Sequence, residues 1–275
     1  MRQLSQIGWS IASLALFVGV WEMTAALGLY NTGYLPPPHV FIPALPEQAQ
    51  HFDPARLVAG TEFASSSLAA VLNTTGATIL RVVAGLGLGF ALGVATGIAI
   101  CYFHILGRLT LPTLTLLAPI SPFAWLPVAI FLVGVGDAAA IFLVFIAVYF
   151  IITLATIAEV GAVPQTFINV GRTMGASRAQ ILFHVVLPTI LPGLFMILRL
   201  NMFAAWMVVL IGESAGVGSG LGAIILLARN TANMNLVFLG LIVIGVVGLL
   251  FDLLLRQIQS RMLYWVRETS VTVAS

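Results

Sequence analysis

The chain has 275 residues, of which 60% are hydrophobic and 7% are charged, and its mean hydropathy is +1.11. A soluble globular protein carries roughly 25% charged residues because its surface faces water, so most of this chain's exterior must face lipid or an apolar subunit. The net charge of +2 is too small and too dispersed to indicate nucleic-acid binding. The single cysteine, Cys101, excludes an intramolecular disulfide and any multi-cysteine metal site, and we expect it to pack as a small hydrophobe.

Six apolar stretches predict an all-α polytopic membrane protein, since a helix needs about 20 apolar residues to span a bilayer. They cover about residues 7–29, 75–103, 111–133, 138–157, 188–212 and 235–255. The first resembles a secretory signal peptide in length, but Glu22 interrupts the place where a cleavage site would follow, so we interpret it as a span. The second is rich in glycine, which predicts close packing against a neighbouring helix. These glycines are Gly85, Gly87, Gly89, Gly93 and Gly97.

The distribution of arginine predicts the orientation, because positive residues stay on the cytoplasmic side of a membrane. With six spans and the N-terminus inside, the outer segments hold Arg56 and Arg229, and Arg81 lies near the outer end of the second span. The inner segments hold Arg2, Arg108, Arg172, Arg178, Arg256, Arg261 and Arg267. We therefore expect both termini, and the loop between the fourth and fifth spans, to be cytoplasmic.

That loop has more structure than a connector requires. Between Pro164 and Val186 the sequence predicts a short helix, a turn near 175–177 and a second helix, with Pro164 at the first helical position. Apolar Phe167, Val170 and Met174 recur at helical spacing and give the first helix one apolar face. Two interpretations remain open from the residues: the helix presents this face to a partner, or it rests on the bilayer.

The third span contains Pro119, Pro122 and Pro127 around Ser121 and Trp125. Each proline lacks a backbone N–H and frees a carbonyl, which is tolerated at membrane depth where protein or a water-lined cavity compensates. Broken helices often border transport sites. The segment therefore borders a pathway, or it is a kinked packing helix without contact to a transported solute.

Charged residues inside the spans are the other candidates, because intramembrane charge is costly and usually functional or paired. Arg199 could attract an anion, or form a structural ion pair with Glu213 or Glu22, and we favour the ion pair. Three further assignments follow from position. Glu22 is expected to make a helix–helix hydrogen bond, Asp252 and Arg256 to form an i,i+4 ion pair, and Asp137 to cap the fourth span.

Residues 169–188 resemble the cytoplasmic signature of ABC-importer permeases, E-A-A-x-x-x-G, nine residues, then I-x-L-P. Asn169, Val170 and Gly171 stand at the E-A-A places, Gly175 at the glycine, Val185 at the isoleucine and Leu187-Pro188 at the end. The run Gly171, Arg172, Thr173, Met174, Gly175, Ala176, Ser177, Arg178 is similar to the version in the nitrate/sulfonate/taurine/bicarbonate branch. Further likenesses to that branch are 35–38, 121–127 and 218–222, the last following Glu213.

The resemblance implies a type I ABC-importer permease fold and a set of chain boundaries. Residues 1–30 form the first transmembrane helix and 31–74 a periplasmic or extracellular segment. Residues 75–257 form a five-helix core whose coupling loop is 161–187, and 258–275 form a cytoplasmic tail. The protein would not be an enzyme and would hold no cofactor or metal. ATP and Mg would be bound by a separate ATPase. This agrees with the sequence, because a Walker-type phosphate cradle requires a lysine and the chain has none.

The implied partners are cytoplasmic ABC ATPase subunits, an extracytoplasmic substrate-binding protein, a second copy of the permease and lipid, in the bacterial inner membrane. The implied solute is a small oxyanion such as nitrate, bicarbonate or a sulfonate, and the alternative is a neutral or aromatic nutrient. An ion-coupled carrier is disfavoured because the spans hold no acidic or histidine relay and no internal repeat. A hydrolase is disfavoured because H-E-x-x-H does not occur, and scattered serine and histidine residues do not make a site.

Overall fold

The computed structural model describes residues 2–33, 35–52 and 67–263, and every regular element in these ranges is helical. The α-helices are α1 Arg2–Ala26, α2 Pro38–Gln48, α3 Ser67–Tyr102, α4 His104–Leu117, α5 Leu126–Val133, α6 Asp137–Ala162, α7 Gln165–Thr173, α8 Arg178–Ile181, α9 Leu187–Gly212, α10 Leu221–Asn230 and α11 Met234–Met262. Short 3-10 turns occur at Ala49–Phe52 and Pro122–Trp125, and π turns occur at Leu182–Val186 and Glu213–Val217. The all-helical fold class is confirmed.

Four helical segments of the described chain are long and apolar enough to cross a membrane, where the sequence predicts about six spans. They are Leu68–Tyr102, Asp137–Ala162, Arg178–Ala215 and Met234–Met262. A fifth arises if His104–Leu117 and Pro122–Val133 together form one span. The apolar part of α1, Ala12–Ala26, is shorter.

The third predicted span is not one straight helix. Helix α4 ends at Leu117, and the segment Pro122–Val133 continues at an angle of 103° to it. Pro119 and Pro122 explain the break, because each removes a backbone donor and disfavours helical geometry in the residue before it. The break falls at the prolines of the predicted third span, 111–133, where the sequence predicts a broken or kinked helix.

The chain divides into two compact units, of which one comprises residues 1–76 and 219–245. Its apolar centre includes an aromatic group in which Phe41 stacks on Phe238 with ring centroids 4.7 Å apart, and Trp21 lies 5.3 Å from Phe238. Polar contacts also join distant parts of this unit. The Asn233 side chain donates to the Gln48 side chain at 2.7 Å.

The other unit comprises residues 77–218 and 246–275, and in it α3 packs closely against α6. Glycine every fourth residue of α3 makes this possible, because a Cβ at any of these positions would lie closer to α6 than real Cβ atoms do. The facing pairs are Gly85 with Val144, Gly89 with Val148, Gly93 with Ile152 and Gly97 with Thr156. The predicted close packing is confirmed, but Gly87 is not part of the contact.

We expect Gly97→Ala to lower the melting temperature of the purified protein, whereas Gly87→Ala leaves it unchanged or raises it slightly. An added Cβ at Gly97 would lie 2.6 Å from the Thr156 Cβ, while one at Gly87 meets nothing within 4 Å. Both substitutions raise helix propensity by about the same amount. The difference in stability between the two variants therefore isolates the overpacking cost at Gly97, roughly 1–3 kcal/mol. Equal melting temperatures in detergent would contradict this packing.

Candidate functional site

Helix α7 is the first half of the predicted coupling loop, and it exposes an apolar face. The exposed fractions are 50% for Phe167, 52% for Val170 and 81% for Met174. On another side of the helix, Ile168 packs against a buried cluster that includes Val163, Ile181, Val186, Ile190 and Leu194. The helix is thus anchored on one side and leaves the other uncovered in the chain itself.

The turn after α7 is fixed by local hydrogen bonds. Gly175 adopts φ +78°, which an L side chain rarely adopts. Its N–H donates to the Arg172 carbonyl, and the Ala176 N–H donates to the Gly171 carbonyl, both at 3.0 Å. These two bonds form a Schellman motif, which satisfies carbonyls at the helix end.

Helix α8 begins with a capping box. The Ser177 hydroxyl accepts from the Gln180 N–H at 3.3 Å, and the Gln180 side chain accepts from the Ser177 N–H at 2.7 Å. This reciprocal pair is the Ser-x-x-Gln pattern that starts a helix. The predicted helix–turn–helix is confirmed, with Asn169 to Gly171 on α7 and Gly175 to Arg178 at the turn. One detail differs: Pro164 is the N-cap of α7, so the helix begins one residue later than expected.

The second half of the loop is continuous with the fifth span. Helix α8, the π turn Leu182–Val186 and α9 form one apolar segment, Arg178–Ala215. Pro188 therefore lies within a continuous helical segment, one residue after the start of α9. Its ring lacks an N–H, and the preceding turn is wound as i→i+5, with the Leu187 N–H donating to the Leu182 carbonyl.

The second cluster gathers charges around Arg81 of α3. The residue is 4% exposed, and its guanidinium donates to Glu213 Oε1 at 2.5 Å and to Asp137 Oδ1 at 2.6 Å. Glu213 is 1% exposed and also accepts from the Thr78 hydroxyl at 2.8 Å. Three charged side chains, from α3, from the start of α6 and from the π turn after α9, thus meet in one network. Arg81 and Glu213 are buried and the Asp137 side chain is 70% exposed. Burial of the charges of Arg81 and Glu213 is compensated because they pair with each other.

The third cluster contains Arg199 of α9. Its Nε donates to Asp252 Oδ1 of α11 at 2.6 Å, and Arg256 Nε donates to the other oxygen, Oδ2, at 2.8 Å. The expected partners Glu213 and Glu22 are wrong, because Asp252 takes that place. The predicted Asp252–Arg256 pair is confirmed, and Asp252 bridges both arginines.

Two further assignments of charged residues are tested by the geometry. Asp137 does not cap α6: it is the first residue of that helix, Gly136 precedes it, and its carboxylate pairs with Arg81. Glu22 makes the expected helix–helix hydrogen bond, since it accepts from the backbone N–H of His39 on α2 at 2.9 Å. Its second oxygen lies 2.7 Å from His39 Nδ1.

The residues of the third predicted span lie at the break between α4 and α5. Ser121 and Pro127 are exposed, and Pro122 begins the 3-10 turn that connects the two parts. Trp125 packs 6.3 Å from the Phe150 ring, and its indole N–H is enclosed without an acceptor among the described residues. These four side chains are brought together by the break, but neither Arg199 nor Glu213 forms a hydrogen bond or ion pair with them in the described structure.

Two residues have a different environment from that indicated by the sequence. Arg81 is not among the residues that the sequence singles out as a site, yet it joins Glu213 to Asp137. Its position near one end of a span, with Asp137 at the end of another, is the signal that could have paired them. Cys101 is exposed, so the expectation that it packs as a small hydrophobe is wrong.

Comparison with solved structures gives the fold. A chain of the MetNI methionine ABC transporter, in an inward-facing conformation, superposes with a TM-score of 0.59 at 19% identity. The match covers 74% of this chain and all of that one. A chain of an amino acid ABC transporter gives a TM-score of 0.54 at 14% identity. The fold is that of a type I ABC-importer permease.

Sequence comparison gives the family. Residues 85–264 match the model of the binding-protein-dependent transport system inner membrane component. The chain belongs to this family. It is therefore a membrane permease component of an ABC transport system, not a catalytic subunit, and such permeases work with ATPase and substrate-binding proteins.

Three relatives show which permeases the chain is similar to. A putative ABC transporter permease of Methanocaldococcus jannaschii is 32% identical, with 91% of this chain and 89% of that protein covered. The taurine transport system permease protein TauC of Escherichia coli K12 is 29% identical, with 94% and 90% covered. The nitrate import permease protein NrtB of Synechocystis is 30% identical, with 67% of each covered.

Proposed function

We propose that the chain forms the translocation pathway of an ATP-driven importer and is driven through the loop 161–187 by a separate ATPase. The observation that carries the proposal is the apolar face of α7, formed by Phe167, Val170 and Met174 and left exposed at the family's signature position. The Schellman turn at the end of α7 and the capping box at the start of α8 make this segment more rigid than a flexible connector. A rigid segment transmits a movement of the ATPase to the spanning helices more effectively. A buried apolar anchor at the centre of an interface supplies most of its binding energy.

Alternating access is the mechanism that we infer for this permease. ATP and Mg would be bound by the partner ATPase rather than by this chain. Two identical copies would enclose the pathway, because one chain provides only a few spanning helices. The break at Ser121, Pro122, Trp125 and Pro127 would border this pathway, since irregular backbone at membrane depth is tolerated where it lines a cavity.

Met174→Glu tests the docking face. We expect the variant to insert and fold normally, because this side chain is the most exposed of the three. The affinity for the co-expressed ATPase should fall at least about tenfold, the loss typical of a central apolar contact. Met174→Leu keeps the apolar surface and serves as the control. If Met174→Glu retains the ATPase during purification and transports normally, α7 is not the contact and rests on the bilayer instead.

Gly175→Leu tests the geometry of the same loop. The residue needs φ +78°, so a leucine there costs about 1–2 kcal/mol or forces the turn to rearrange. A Cβ at this position meets nothing within 4 Å, so steric clash is not the cause. We expect a membrane-inserted protein that no longer holds its ATPase on purification. Normal co-purification and transport in this variant would show that the turn geometry is not required.

We propose a small oxyanion as the solute. The support is chemical: the relatives are named for taurine, nitrate and aliphatic sulfonates. Taurine and the sulfonates carry a sulfonate group, and nitrate is itself a small oxyanion. A neutral or aromatic nutrient is the alternative, and the outer binding protein would make most of the selection. Uptake by vesicles that contain the permease, with and without ATPase and binding protein, identifies the solute. Uptake driven by an ion gradient without ATP would indicate a secondary transporter.

For the topology we propose cytoplasmic termini, with residues 31–74 outside and 258–275 inside. Helix α3 begins at Ser67, so the last part of the outer segment is helical. Cysteines at the exposed positions Glu47 and Gln257, in a Cys101→Ser background, report the two sides. Gln48 is less suitable, because it bonds to Asn233. An impermeant thiol reagent applied to intact cells should label only the first site, and labelling of both would overturn this topology.

A further inference from the structure

An open cavity of about 630 Å³ is lined in part by α7, through residues other than those of its exposed apolar face. Its walls come from the end of α3, α6, α7, the turn and α8. The polar groups that line it are Cys101, Tyr102, Gln165, Arg172 and Arg178. Apolar side chains, among them Ile168 and Val186, complete the wall. The cavity lies wholly within one compact unit of the chain.

The charge of this cavity is not compensated by the described part of the chain. Neither Arg172 nor Arg178 has a carboxylate within ion-pair distance there, unlike Arg199, which pairs with Asp252. The nearest acid in sequence to the wall residue Val160 is Glu159, but its carboxylate lies against Gly193 of α9 and is not part of the lining. Two guanidinium groups therefore line one space without a counter-charge, which favours binding of an anion.

We propose that this cavity binds a phosphate-bearing anion through Arg172 and Arg178. A guanidinium group presents a planar set of N–H donors that matches phosphate oxygens in bidentate fashion. The Gln165 amide and the Tyr102 hydroxyl supply further donors. The ligand is the headgroup of an anionic phospholipid from the surrounding bilayer, or a free phosphate compound, since both carry the same chemistry.

Binding would also regulate the coupling loop, and this part rests on the proposed function. An occupant of the cavity would support α7 from behind through Arg172, which lies in the last turn of the helix. A ligand that orders the helix before docking reduces the entropy cost of docking, so the ATPase would bind more tightly. The binding itself does not depend on the ATPase and is tested without it.

The chain carries its own reporter of occupancy. Cys101 is its single cysteine, is exposed and lines the cavity, so a bound ligand should slow its reaction with a maleimide. The full-length permease is purified in a maltoside detergent, which contains no phosphate. Alkylation rates are compared in pyrophosphate, in phosphatidylglycerol mixed micelles and in chloride of equal ionic strength. Protection by the lipid alone identifies the headgroup, and protection by pyrophosphate alone identifies a soluble compound. Equal rates in all three overturn the proposal.

Paired variants assign the protection to the two arginines. Arg172→Gln with Arg178→Gln should weaken the protecting ligand at least about tenfold, because each lost charge-assisted hydrogen bond costs this much. Arg108→Gln makes the same charge change outside the cavity lining and should keep the protection. Arg172→Lys with Arg178→Lys keeps the charge and should retain part of it, which separates lost binding from misfolding. Undiminished protection in the double glutamine variant overturns the site.

The outcomes also separate this site from the docking proposal. If Met174→Glu keeps the ATPase while Cys101 is protected in the wild type, the docking face is wrong and the anion site stands. If the wild type shows no protection but the double glutamine variant loses its ATPase, the two guanidinium groups bind acidic side chains of the ATPase. That result overturns the anion site and leaves the docking proposal intact.

Discussion

Arg81→Gln should destabilise the protein by about 3–5 kcal/mol, the cost of removing one partner from a buried ion pair. The reason is that Glu213, 1% exposed, would keep its charge without the guanidinium 2.5 Å away. Neutral donors such as the Thr78 hydroxyl do not replace the positive charge of the guanidinium. We expect a large fall in melting temperature and in the yield of folded protein, measured by size-exclusion chromatography after heating in detergent.

The double variant Arg81→Gln with Glu213→Gln is the critical control. It removes the buried charge and leaves two amides that can bond to each other, so it should recover part of the lost stability. The interaction energy from this cycle isolates the pair. Arg229→Gln, a change of the same type at an exposed position, should have little effect. If Arg81→Gln melts like Arg229→Gln, the network does not hold these helices together.

The helix–turn–helix formed by α7 and α8 could be predicted from the sequence because its determinants are local. Gly175 ends one helix, and Ser177 with Gln180 starts the next, all within a few residues. The glycine repeat of α3 is likewise a local pattern, and its period of four marks one helix face. The spans that carry no break in apolarity were also predicted, since their length and composition suffice.

The ion-pair partners could not be predicted, because they depend on tertiary structure. Arg81 and Glu213 are 132 residues apart in the chain, and Arg199 and Asp252 are 53 apart. The spacing of two residues along one helix shows only whether they are too far apart to pair with each other. It does not show which residue of another helix takes that place. The π turn before Pro188 was also unpredictable, because the sequence signals a helix start at a proline and the structure instead winds the helix more widely there.

The two charge clusters lie at different depths along one helix. Arg199 and Glu213 are fourteen residues apart, about 21 Å at the helical rise if the helix continued straight, so one cluster cannot substitute for the other. The first joins the π turn after α9 to α3 and α6, and the second joins the middle of α9 to α11. Helix α9 continues from α8 and the π turn Leu182–Val186, so this one helical segment reaches the elements that both clusters connect.

Arg199→Gln should lower the melting temperature less than Arg81→Gln does. A lone guanidinium at membrane depth costs roughly 2.5–3.5 kcal/mol on the insertion scale, and Asp252 compensates this cost in the wild type. In the variant, Asp252 keeps Arg256, so its charge stays paired and the expected loss is about 1–3 kcal/mol.

The matched control for this prediction is Arg256→Gln. Arg256 is 57% exposed as a side chain against 33% for Arg199, so its loss should cost less. If Arg199 is a structural ion pair, the surviving Arg199→Gln protein keeps its preference among solutes in reconstituted vesicles, because Asp252 already occupies the guanidinium. A variant that assembles and melts normally but selectively loses transport of anions would place Arg199 in the pathway, since only a cation that meets the solute affects selectivity without affecting stability.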